Sequence, residues 1–420
     1  MKVCVIGSGG REHALAWRLS ISPSVTKVYA IPGSAAMLDC AELVGIDWQQ
    51  SDHLISFLKD NQVDLVVVGP EAPLVAGLAD VLNKAGIPVF GPSKAAAQLE
   101  GSKVFAKDLM KKYNIPTAAY GVFHKVDEAK AFIAQTGAPI VVKADGLAAG
   151  KGVVVAMTID EANVAVEDML SGNRFGDAGS TVVIEEFMEG EEASLLAFVD
   201  GKTVVPMIAS QDHKRIFDGD KGPNTGGMGT YAPAPVLTDA LRDEAMKTIL
   251  EPMVAAMEKE GMPYVGCLYA GLMITDEGPK VVEFNARFGD PETQVVLPLL
   301  DSDLGEIMMA CAKGTLTSNM VKWKDSSAAC VILASKGYPE TSSKGDVISG
   351  DIKQYDTTIV FHSGTKLVGE NYVTNGGRVL GVVGLGKDLR TALDRAYGRI
   401  EHIDFEGMQY RTDIGAKAFK

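Results

Sequence analysis

The run Val281-Val-Glu-Phe-Asn-Ala-Arg-Phe-Gly-Asp-Pro-Glu292 decides how the centre of this chain folds and what it can bind. Alternate side chains of an extended strand point to the same face, so Glu283 and Asn285 converge while Phe284 turns into the core. A carboxylate beside an amide oxygen suits a hard cation such as Mg²⁺ (or Mn²⁺), which proteins often share with substrate phosphates. Arg287, on the same line, can hold an anionic oxygen at a reaction centre. The alternative is an edge strand with a solvated polar face.

Length and charge bound the class of protein. The chain has 420 residues, more than one core usually supports, so two to four compact units are expected. The net charge of −14 argues against nucleic acid or an acidic membrane as a partner, because phosphate backbones attract basic surfaces. A small phosphorylated substrate stays possible, since it needs only a local pocket of Lys, Arg and backbone N–H groups.

The cysteine and apolar patterns indicate a cytoplasmic protein. The five cysteines form no close pair, as is typical of a reducing compartment, and the six histidines contain no His-x-x-x-His pair for a transition metal. Residues 1–7 are expected to enter a strand at once, in an apolar run too short for a signal peptide. No stretch approaches the ~20 apolar residues of a membrane span.

The first hundred residues alternate short apolar strands with helices. Residues 3–6, 63–68 and 88–90 end in Gly or Pro, which is typical of parallel strands buried on both faces. Residues 12–20 and 72–85 carry helical patterns. The alternation predicts an open α/β sheet whose ligands lie beyond the carboxyl ends of its strands. Further along the chain, residues 210–234 are expected to form a long polar, glycine-rich loop.

A glycine-rich segment after a buried strand predicts a phosphate-binding lid. The strand ends at Lys143, and the segment that follows contains Gly150, Lys151 and Gly152. Glycines let backbone N–H groups approach phosphate oxygens, and lysines neutralise the charge of those oxygens. A hairpin of this kind can close over a triphosphate and exclude water. The alternative is an ordinary hairpin with exposed lysines.

Acidic residues follow the next β-branched strand. Glu185 and the backbone of Phe187 and Met188 could contact an adenine edge, with Glu191 or Glu192 accepting from ribose hydroxyls. Consecutive acids at a strand end are more often a solvated turn, so this segment alone leaves both readings open.

Together these segments resemble the ATP-grasp superfamily, whose members hold ATP between two α+β subdomains and activate a carboxylate as an acyl phosphate. The resemblance implies two phosphate-binding lysines, an adenine contact, a ribose contact, a metal pair and a reaction-centre arginine. These are, in that order, Lys103 and Lys143, Glu185, Glu192, Glu283 and Asn285, and Arg287. Many members carry another carboxylate on the preceding strand, here residues 267–273, which has none, so the number of metal ions stays open.

A finer resemblance, to the glycinamide ribonucleotide synthetases, covers the chain from end to end. The matching segments are Gly7-Ser-Gly-Gly-Arg-Glu-His13, Val68-Gly-Pro-Glu-Ala-Pro73, Gln211-Asp-His-Lys-Arg215, Gly222-Pro-Asn-Thr-Gly-Gly-Met-Gly229 and Arg287-Phe-Gly-Asp-Pro-Glu-Thr-Gln294. The resemblance implies that glycine, ATP and 5-phosphoribosylamine react through a glycyl phosphate to glycinamide ribonucleotide, ADP and phosphate, a step of de novo purine biosynthesis.

The resemblance also implies an architecture: an N-terminal open parallel α/β sheet, an ATP-grasp core of two subdomains, and a small C-terminal α+β domain. The expected domains are residues 1–102, which bind substrate, 103–328, with a flap at about 121–190, and 329–420. No nucleic acid or membrane is expected as a partner, and the chain is expected to be a monomer.

Substrate contacts are expected in three places. The strand-to-helix junction of the first domain offers amides for a ribose 5-phosphate, the long polar loop wraps the amine and glycine pockets, and the 287–290 segment adds the reaction centre. Lys143 and Arg287 are the expected catalytic residues. The substrate-binding candidates are Gly9, Gly10, Arg11, Glu71, Asp212, Lys214, Thr225, Gly226, Gly227, Arg287, Gly289 and Asp290. The loop's alternative is a disordered surface segment.

Three other functions compete. The Gly7-x-Gly9 start suggests a dinucleotide-dependent oxidoreductase, but Glu12 occupies the third glycine position and the acid expected about twenty residues on is missing. Another ATP-grasp ligase, acting on formate or bicarbonate, would not require the 287–292 run. A nucleotide-binding regulator without activity would have no need of Arg287 beside the metal pair.

Overall fold

An open parallel sheet forms the N-terminal unit, as predicted. A computed structural model describes residues 1–146, 152–171 and 180–419 of the chain. The elements of this unit are β1 (Lys2–Gly7), α1 (Gly10–Ser20), β2 (Lys27–Pro32), β3 (Glu42–Leu43), α2 (Ser51–Asp60), β4 (Leu65–Val68), α3 (Glu71–Ala76), α4 (Leu78–Lys84), β5 (Val89–Phe90) and α5 (Gln98–Gly101). The strand order is β3-β2-β1-β4-β5, with every pair parallel.

The prediction of one helix at residues 72–85 is wrong, because the segment forms two helices, α3 and α4. Gly77 has φ +96°, a left-handed conformation that glycine adopts without steric cost, and it ends α3. Its N–H donates to the carbonyl of Leu74 at 3.0 Å, and α4 begins at the next residue.

A small antiparallel sheet follows, with its own apolar core. Its elements are β6 (Tyr120–Phe123), α7 (Val126–Thr136), β7 (Ile140–Ala144), β8 (Val153–Ala156), α8 (Ile159–Leu170) and β9 (Val182–Glu186). The strand order is β6-β9-β7-β8. Helices α7 and α8 cover one face, and Ile133 of α7 is fully buried against the sheet, as are Val142 of β7 and Ile184 of β9.

A second antiparallel sheet carries the run that opens the sequence analysis. The elements are α6 (Lys103–Lys112), β10 (Glu191–Asp200), β11 (Val204–Pro206), α9 (Asp239–Ala245), a π-helical turn (Met246–Leu250), α10 (Glu251–Lys259), β16 (Val265–Thr275) and β17 (Gly278–Asn285). The order is β11-β10-β16-β17, with Gly271 opposite Glu283 and Tyr269 opposite Asn285. The β16–β17 ladder shifts register at Val282. Glu283 pairs with Gly271, whereas Val281 pairs with the next residue, Leu272.

The loop predicted at 210–234 is wrong, because this segment forms strands. They are β12 (Gln211–Asp212), β13 (Arg215–Phe217), β14 (Lys221–Asn224) and β15 (Gly229–Ala232). Strand β15 pairs with β18 (Ser327–Ala334), and this antiparallel ladder satisfies its backbone N–H and C=O groups. The glycine-rich sequence of β15 gives no local signal of a strand.

A third sheet has the strand order β12-β15-β18-β23-β20, in which β23 is Arg378–Gly386 and β20 is Thr358–His362. The remaining elements are α11 (Thr293–Leu299), α12 (Leu304–Lys313), β18, β19 (Ser349–Gly350), β20 (Thr358–His362), β21 (Thr365–Val368), β22 (Asn371–Thr374), β23 (Arg378–Gly386), α13 (Leu389–Ile400) and β24 (Ile403–Asp404), with 3-10 turns at Ala35–Met37, Ser318–Met320 and Ala416–Phe419. Within the described ranges, no helix is both long and apolar enough to cross a membrane.

Two buried histidines join the first helix to the third sheet. The Nδ1 of His13, on α1, accepts the backbone N–H of His362, on β20, at 3.0 Å. Their ring centroids are 5.9 Å apart, and Phe361 meets His13 edge-on. Burial lowers the pKa of His13 to about 3, helped by the nearby His362, and burial lowers the pKa of His362 to about 4. Both rings are therefore neutral in the folded protein at neutral pH.

Stability is expected to fall between pH 7 and pH 5. An unfolded histidine takes up a proton near pH 6.5 that these folded ones exclude, so the folded state loses about 2 kcal/mol for each histidine over that interval. In His13→Asn the amide oxygen keeps an acceptor for His362 but binds no proton, so the loss should be smaller by about 2 kcal/mol, the share of one histidine. Urea unfolding at the two pH values measures this, and an unchanged pH dependence in the variant contradicts it.

Candidate active site

Two lysines point into the cleft between the small sheet and the central sheet. Lys103 begins α6 directly after its N-cap Ser102, whose hydroxyl accepts from the Phe105 N–H at 3.1 Å. The carboxylate of Asp145, beyond the end of β7, accepts from the Lys103 N–H at 2.6 Å. Burial and the nearby Lys143 lower the pKa of the Lys103 ammonium. The end of one strand and the start of one helix thus hold two cations beside each other.

Glu185 is buried between two lysines. Its Oε1 lies 3.0 Å from Lys143 Nζ and its Oε2 lies 2.9 Å from Lys107 Nζ, with all three side chains about 95% buried or more. Lys143 Nζ also donates to the carbonyl of Val282 at 3.1 Å, and Lys107 Nζ to Thr117 Oγ1 at 2.8 Å. Burial, opposed in part by Glu185, lowers the pKa of Lys107 to about 8. The sequence analysis missed Lys107, although it lies one helical turn after Lys103.

Glu283 faces a ring of cations. Burial alone would raise its pKa, but Lys214, Lys143 and Lys103 outweigh burial and lower it. Its carboxylate is therefore ionised at neutral pH. Gly271 stands directly opposite on β16 and supplies no second carboxylate, and among the described residues no group of three or more His, Cys, Asp or Glu side chains could hold a metal ion.

Arg287 ties the end of β17 to the N-terminal unit. Its Nη2 lies 2.8 Å from Glu100 Oε1 and its Nε 3.4 Å from Glu71 Oε2. Its Nη2 also donates a long 3.4 Å bond to Asn285 Oδ1. Glu71 in turn lies 3.9 Å from Arg11 Nη1, and despite burial the two arginines lower the pKa of the Glu71 carboxyl. The backbone N–H of Ala286 donates to Glu100 at 2.8 Å, so both ends of this carboxylate are held.

The start of α1 is tightly enclosed. The Gly9 N–H donates to Glu12 Oε2 at 2.8 Å, and Glu12 also pairs with Arg11 at 2.5 Å. Glu12 thus caps its own helix. A Cβ on Gly10 would lie 2.3 Å from the hydroxyl oxygen of Ser363, so only glycine fits there. The Arg11 guanidinium also donates to the Phe288 carbonyl at 3.2 Å.

The segment around β12 and β15 brings two charged side chains to the same cleft. Lys214 Nζ lies 2.9 Å from Glu192 Oε2, and the charges of Glu192 and Glu283 raise the Lys214 pKa. Burial and the neighbouring Glu292 raise the pKa of Asp212 well above its ordinary value. Asp212 and Glu292 are therefore close together, and the charges of Lys214 and Arg378 only partly offset the effect on Asp212.

The glycine turn before β15 packs directly on this segment. The Thr225 hydroxyl donates to the Lys214 carbonyl at 2.8 Å and accepts from the Gly227 N–H at 3.0 Å. Gly227 has φ +115°, and a Cβ there would lie 2.7 Å from Asp212 Oδ1. Gly226, between them, is exposed.

Polar side chains surround the segment after β17. Glu292 Oε1 accepts from Ser194 Oγ at 3.0 Å and from the Tyr269 hydroxyl at 2.9 Å, and a Cβ on Gly289 would collide with Glu292 Oε2 at 2.4 Å. Asp290 accepts from Gln294 Nε2 at 2.8 Å.

Most of the predicted site residues converge on the end of β17. Phe187 and Met188 are half-buried after β9. The carbonyl of Gly152 accepts from the Ala144 N–H at 2.8 Å, whereas Gly150 and Lys151 lie outside the described residues. Besides Lys107, the sequence analysis missed Glu100, Ser194 and Tyr269, since nothing in their own segments signals charge pairing with β17 or its continuation.

The fold and the cleft define an ATP-grasp protein. The chain superposes with a TM-score of 0.75 on the biotin carboxylase domain of 2-oxoglutarate carboxylase from Hydrogenobacter thermophilus, solved with MgADP and bicarbonate, over 97% of this chain and 91% of that one. At 16% identity this likeness shows the fold alone.

Family models for the N, ATP-grasp (A) and C domains of phosphoribosylglycinamide synthetase match residues 1–100, 101–293 and 328–417. The chain belongs to the phosphoribosylglycinamide synthetase family, which confirms the predicted resemblance. Relatives named phosphoribosylamine–glycine ligase are 53% identical in Halalkalibacterium halodurans, over 100% of this chain and 97% of the relative, and 54% identical in Neisseria meningitidis, over 100% and 99%. The crystal structure of that ligase from Thermotoga maritima is similar, with a TM-score of 0.87 at 34% identity over 99% of this chain and 100% of that one.

Substituting Lys107 is expected to destabilise the fold strongly. Lys107→Met leaves the Glu185 carboxylate buried with half of its counter-charge, which costs about 3 kcal/mol of the free energy of unfolding. Lys112→Met, on the same helix, is the matched control, because Lys112 pairs with Glu260 at the surface and such pairs contribute little. Urea unfolding compares them, and equal midpoints for the two variants contradict a buried ion network at Glu185.

Proposed function

We propose that this chain joins glycine to 5-phosphoribosylamine at the expense of ATP, giving glycinamide ribonucleotide, ADP and phosphate in de novo purine biosynthesis. One observation carries the proposal: the strand that presents Glu283 to three lysines also delivers Arg287 to the N-terminal unit. A phosphate-binding cleft and a second substrate pocket therefore meet at the end of β17. Family membership supports the choice of substrates.

ATP fits the cleft between the small and central sheets. Lys103 and Lys143 would neutralise its phosphates, and Gly150, Lys151 and Gly152 are the further residues assigned to ATP binding. The adenine would contact Glu185, Phe187 and Met188. Glu192, which pairs with Lys214 at 2.9 Å, would accept from the ribose hydroxyls.

The donor set at the end of β17 fits Mg²⁺ or Mn²⁺. Glu283 is an ionised carboxylate, and the amide oxygen of Asn285 has one long bond to Arg287, so both oxygens are free to coordinate. One carboxylate and one amide suit an ion that completes its shell with phosphate oxygens and water. When bound, such an ion neutralises charge on the β- and γ-phosphates.

Positioning and charge stabilisation supply the catalysis. A carboxylate oxygen of glycine attacks the γ-phosphorus, and ADP leaves. Arg287 and Lys143 stabilise the charge on the transferring oxygens. The nitrogen of phosphoribosylamine then attacks the glycyl carbonyl carbon, the C–N bond forms, phosphate leaves, and the nitrogen loses a proton.

The acidic cluster suits the ammonium group of glycine. Asp212 and Glu292 lie close together, and a further cation between them would favour the ionised form of Asp212. Lys214, the turn of Thr225, Gly226 and Gly227, and Gly289 and Asp290 enclose this pocket.

Phosphoribosylamine is assigned to the N-terminal unit. Gly9 and Gly10 begin α1, whose amide end favours an anion such as the 5-phosphate. Arg11 adds positive charge, and Glu71 offers oxygens for ribose hydroxyls. Their position beside Arg287 puts the amine near the glycyl carbonyl.

The proposal includes the setting of the enzyme. All five cysteines are free thiols, which suits the cytoplasm. The proposed enzyme acts as a monomer. The proposed domains are residues 1–102, 103–328 with a flap at about 121–190, and 329–420. Small molecules are the partners, with no nucleic acid or membrane involved.

The direct experiment is ADP release with ATP, Mg²⁺, glycine and fresh phosphoribosylamine, omitting each in turn. Turnover that requires all of them, with glycine in the product, is expected. Turnover with formate or bicarbonate in place of glycine would agree with the proposed ATP site but would contradict glycine as the substrate. No turnover with any acid would contradict an enzymatic role.

Two variants test the division of the site. Lys143→Ala is expected to abolish ATP binding, because it removes a phosphate cation and one counter-charge of Glu185. Arg11→Ala should mainly raise the KM for phosphoribosylamine. Steady-state kinetics and direct ATP binding measure both, with the exposed Lys84→Ala as a control. Equal effects of the two variants on ATP affinity would contradict the division.

A further inference from the structure

One arginine of the C-terminal sheet reaches into the proposed glycine pocket. Arg378 begins β23, and its Nη1 donates to the carbonyl of Gly226 at 2.6 Å and to that of Asp290 at 2.8 Å. Its Nη2 lies 3.3 Å from the Asp290 carboxylate. A single guanidinium thus holds two segments that enclose the pocket, the 225–227 turn and the 289–292 turn.

A tyrosine of the same unit holds Gly226 from its other side. The Tyr338 hydroxyl accepts from the Gly226 N–H at 3.0 Å. The ring of Tyr338 packs on Gly377, where a Cβ would lie 2.2 Å from a ring carbon, so the hydroxyl is held beside Arg378. Both polar groups of Gly226 are therefore fixed by residues more than a hundred positions away in the chain.

We call the bonds that Arg378 and Tyr338 make to Gly226 and Asp290 the clamp. The clamp affects the part of the pocket that contains Asp212. Gly227 packs against Asp212 and against Pro291, at 2.7 and 2.5 Å from the position of a Cβ. Displacement of the turn would move the Asp212 carboxylate or open a gap beside it. An error of about 1 Å in such a contact can cost about 100-fold in rate.

We propose that Arg378 and Tyr338 are positioning residues that shape the glycine pocket without touching the nucleotide. This rests on the proposed function, because it takes the pocket of Asp212 and Glu292 to be the site of the glycine ammonium. The C-terminal unit thereby contributes to amino-acid selection. Neither residue contacts the lysines of the ATP cleft through any bond of the described structure.

Lysine cannot replace the arginine in this role. A guanidinium presents a planar fork of donors that serves the Gly226 and Asp290 carbonyls and the Asp290 carboxylate at once, whereas an ammonium is a point charge on a flexible stem. Arg378→Lys preserves the charge and removes the fork. It therefore separates the positioning role from a simple electrostatic one.

The experiment compares kcat and KM for each substrate in Arg378→Met, Arg378→Lys and Tyr338→Phe. The KM for glycine should rise about 10- to 100-fold in Arg378→Met and several-fold in Tyr338→Phe, while the KM for ATP changes less than about 2-fold. Arg378→Lys should recover only part of the loss. The controls are Arg395→Met and Tyr355→Phe, which lie at the surface of the same unit.

Two results would overturn the proposal: an unchanged glycine KM in Arg378→Met, or equal losses for glycine and ATP with a lowered unfolding midpoint. Failure of the proposed function is distinguishable from these results, because the unsubstituted protein would then not turn over glycine.

A double-mutant cycle tests the contact itself. The Cβ of Gly226→Ala would lie 2.9 Å from the Arg378 guanidinium carbon, so this change should raise the glycine KM on its own. In the Arg378→Ala background the clash is gone, and adding Gly226→Ala should cost much less. Additive losses would contradict the clamp.

Discussion

The balance of buried charge around Glu283 and Glu185 is the constraint on which the rest of the structure depends. Glu185, Lys107 and Lys143 are removed from water, which costs several kcal/mol for each ion unless partners and hydrogen bonds compensate. Glu283 and the two other lysines facing it are half-buried. Lys143 touches Glu185 at 3.0 Å and the Val282 carbonyl at 3.1 Å, so it binds the small sheet to the central one. A shift of the small sheet would break the Lys143–Val282 hydrogen bond and separate Glu185 from Lys107 of α6.

A second ion network extends the same constraint to the N-terminal unit. Arg287 leaves the strand that holds Glu283 and pairs with Glu100 and Glu71, on two helices of the first unit. Arg378 adds the C-terminal sheet through Asp290. All units of the chain therefore meet at the end of β17. In the proposed function, a nucleotide, an amino acid and an amine are aligned at that meeting point, and alignment is the main contribution that an enzyme without a covalent nucleophile can make.

The sequence predicted what local spacing encodes. The convergence of Glu283 and Asn285 follows from the two-residue period of a strand, and the parallel N-terminal sheet follows from alternating apolar runs. The predictions failed where a contact joins segments that are far apart in the chain, and where a glycine-rich segment forms a strand. Gly77 splits a helix whose apolar pattern continues across it. Strand β15 is held by pairing with β18, about a hundred residues later in the chain, and the Arg378–Gly226 bond spans 152 residues. No pattern within either segment announces such a contact.

We propose that glycine is activated as a glycyl phosphate in the cleft where these networks meet. The most direct measurement uses glycine labelled with ¹⁸O in both carboxylate oxygens and follows the label by mass spectrometry after a single turnover. If the carboxylate attacks the γ-phosphorus, one ¹⁸O appears in the inorganic phosphate and the other stays in the amide of the product. Phosphate free of ¹⁸O, with product still formed, would contradict the glycyl phosphate and the chemical role given to this site.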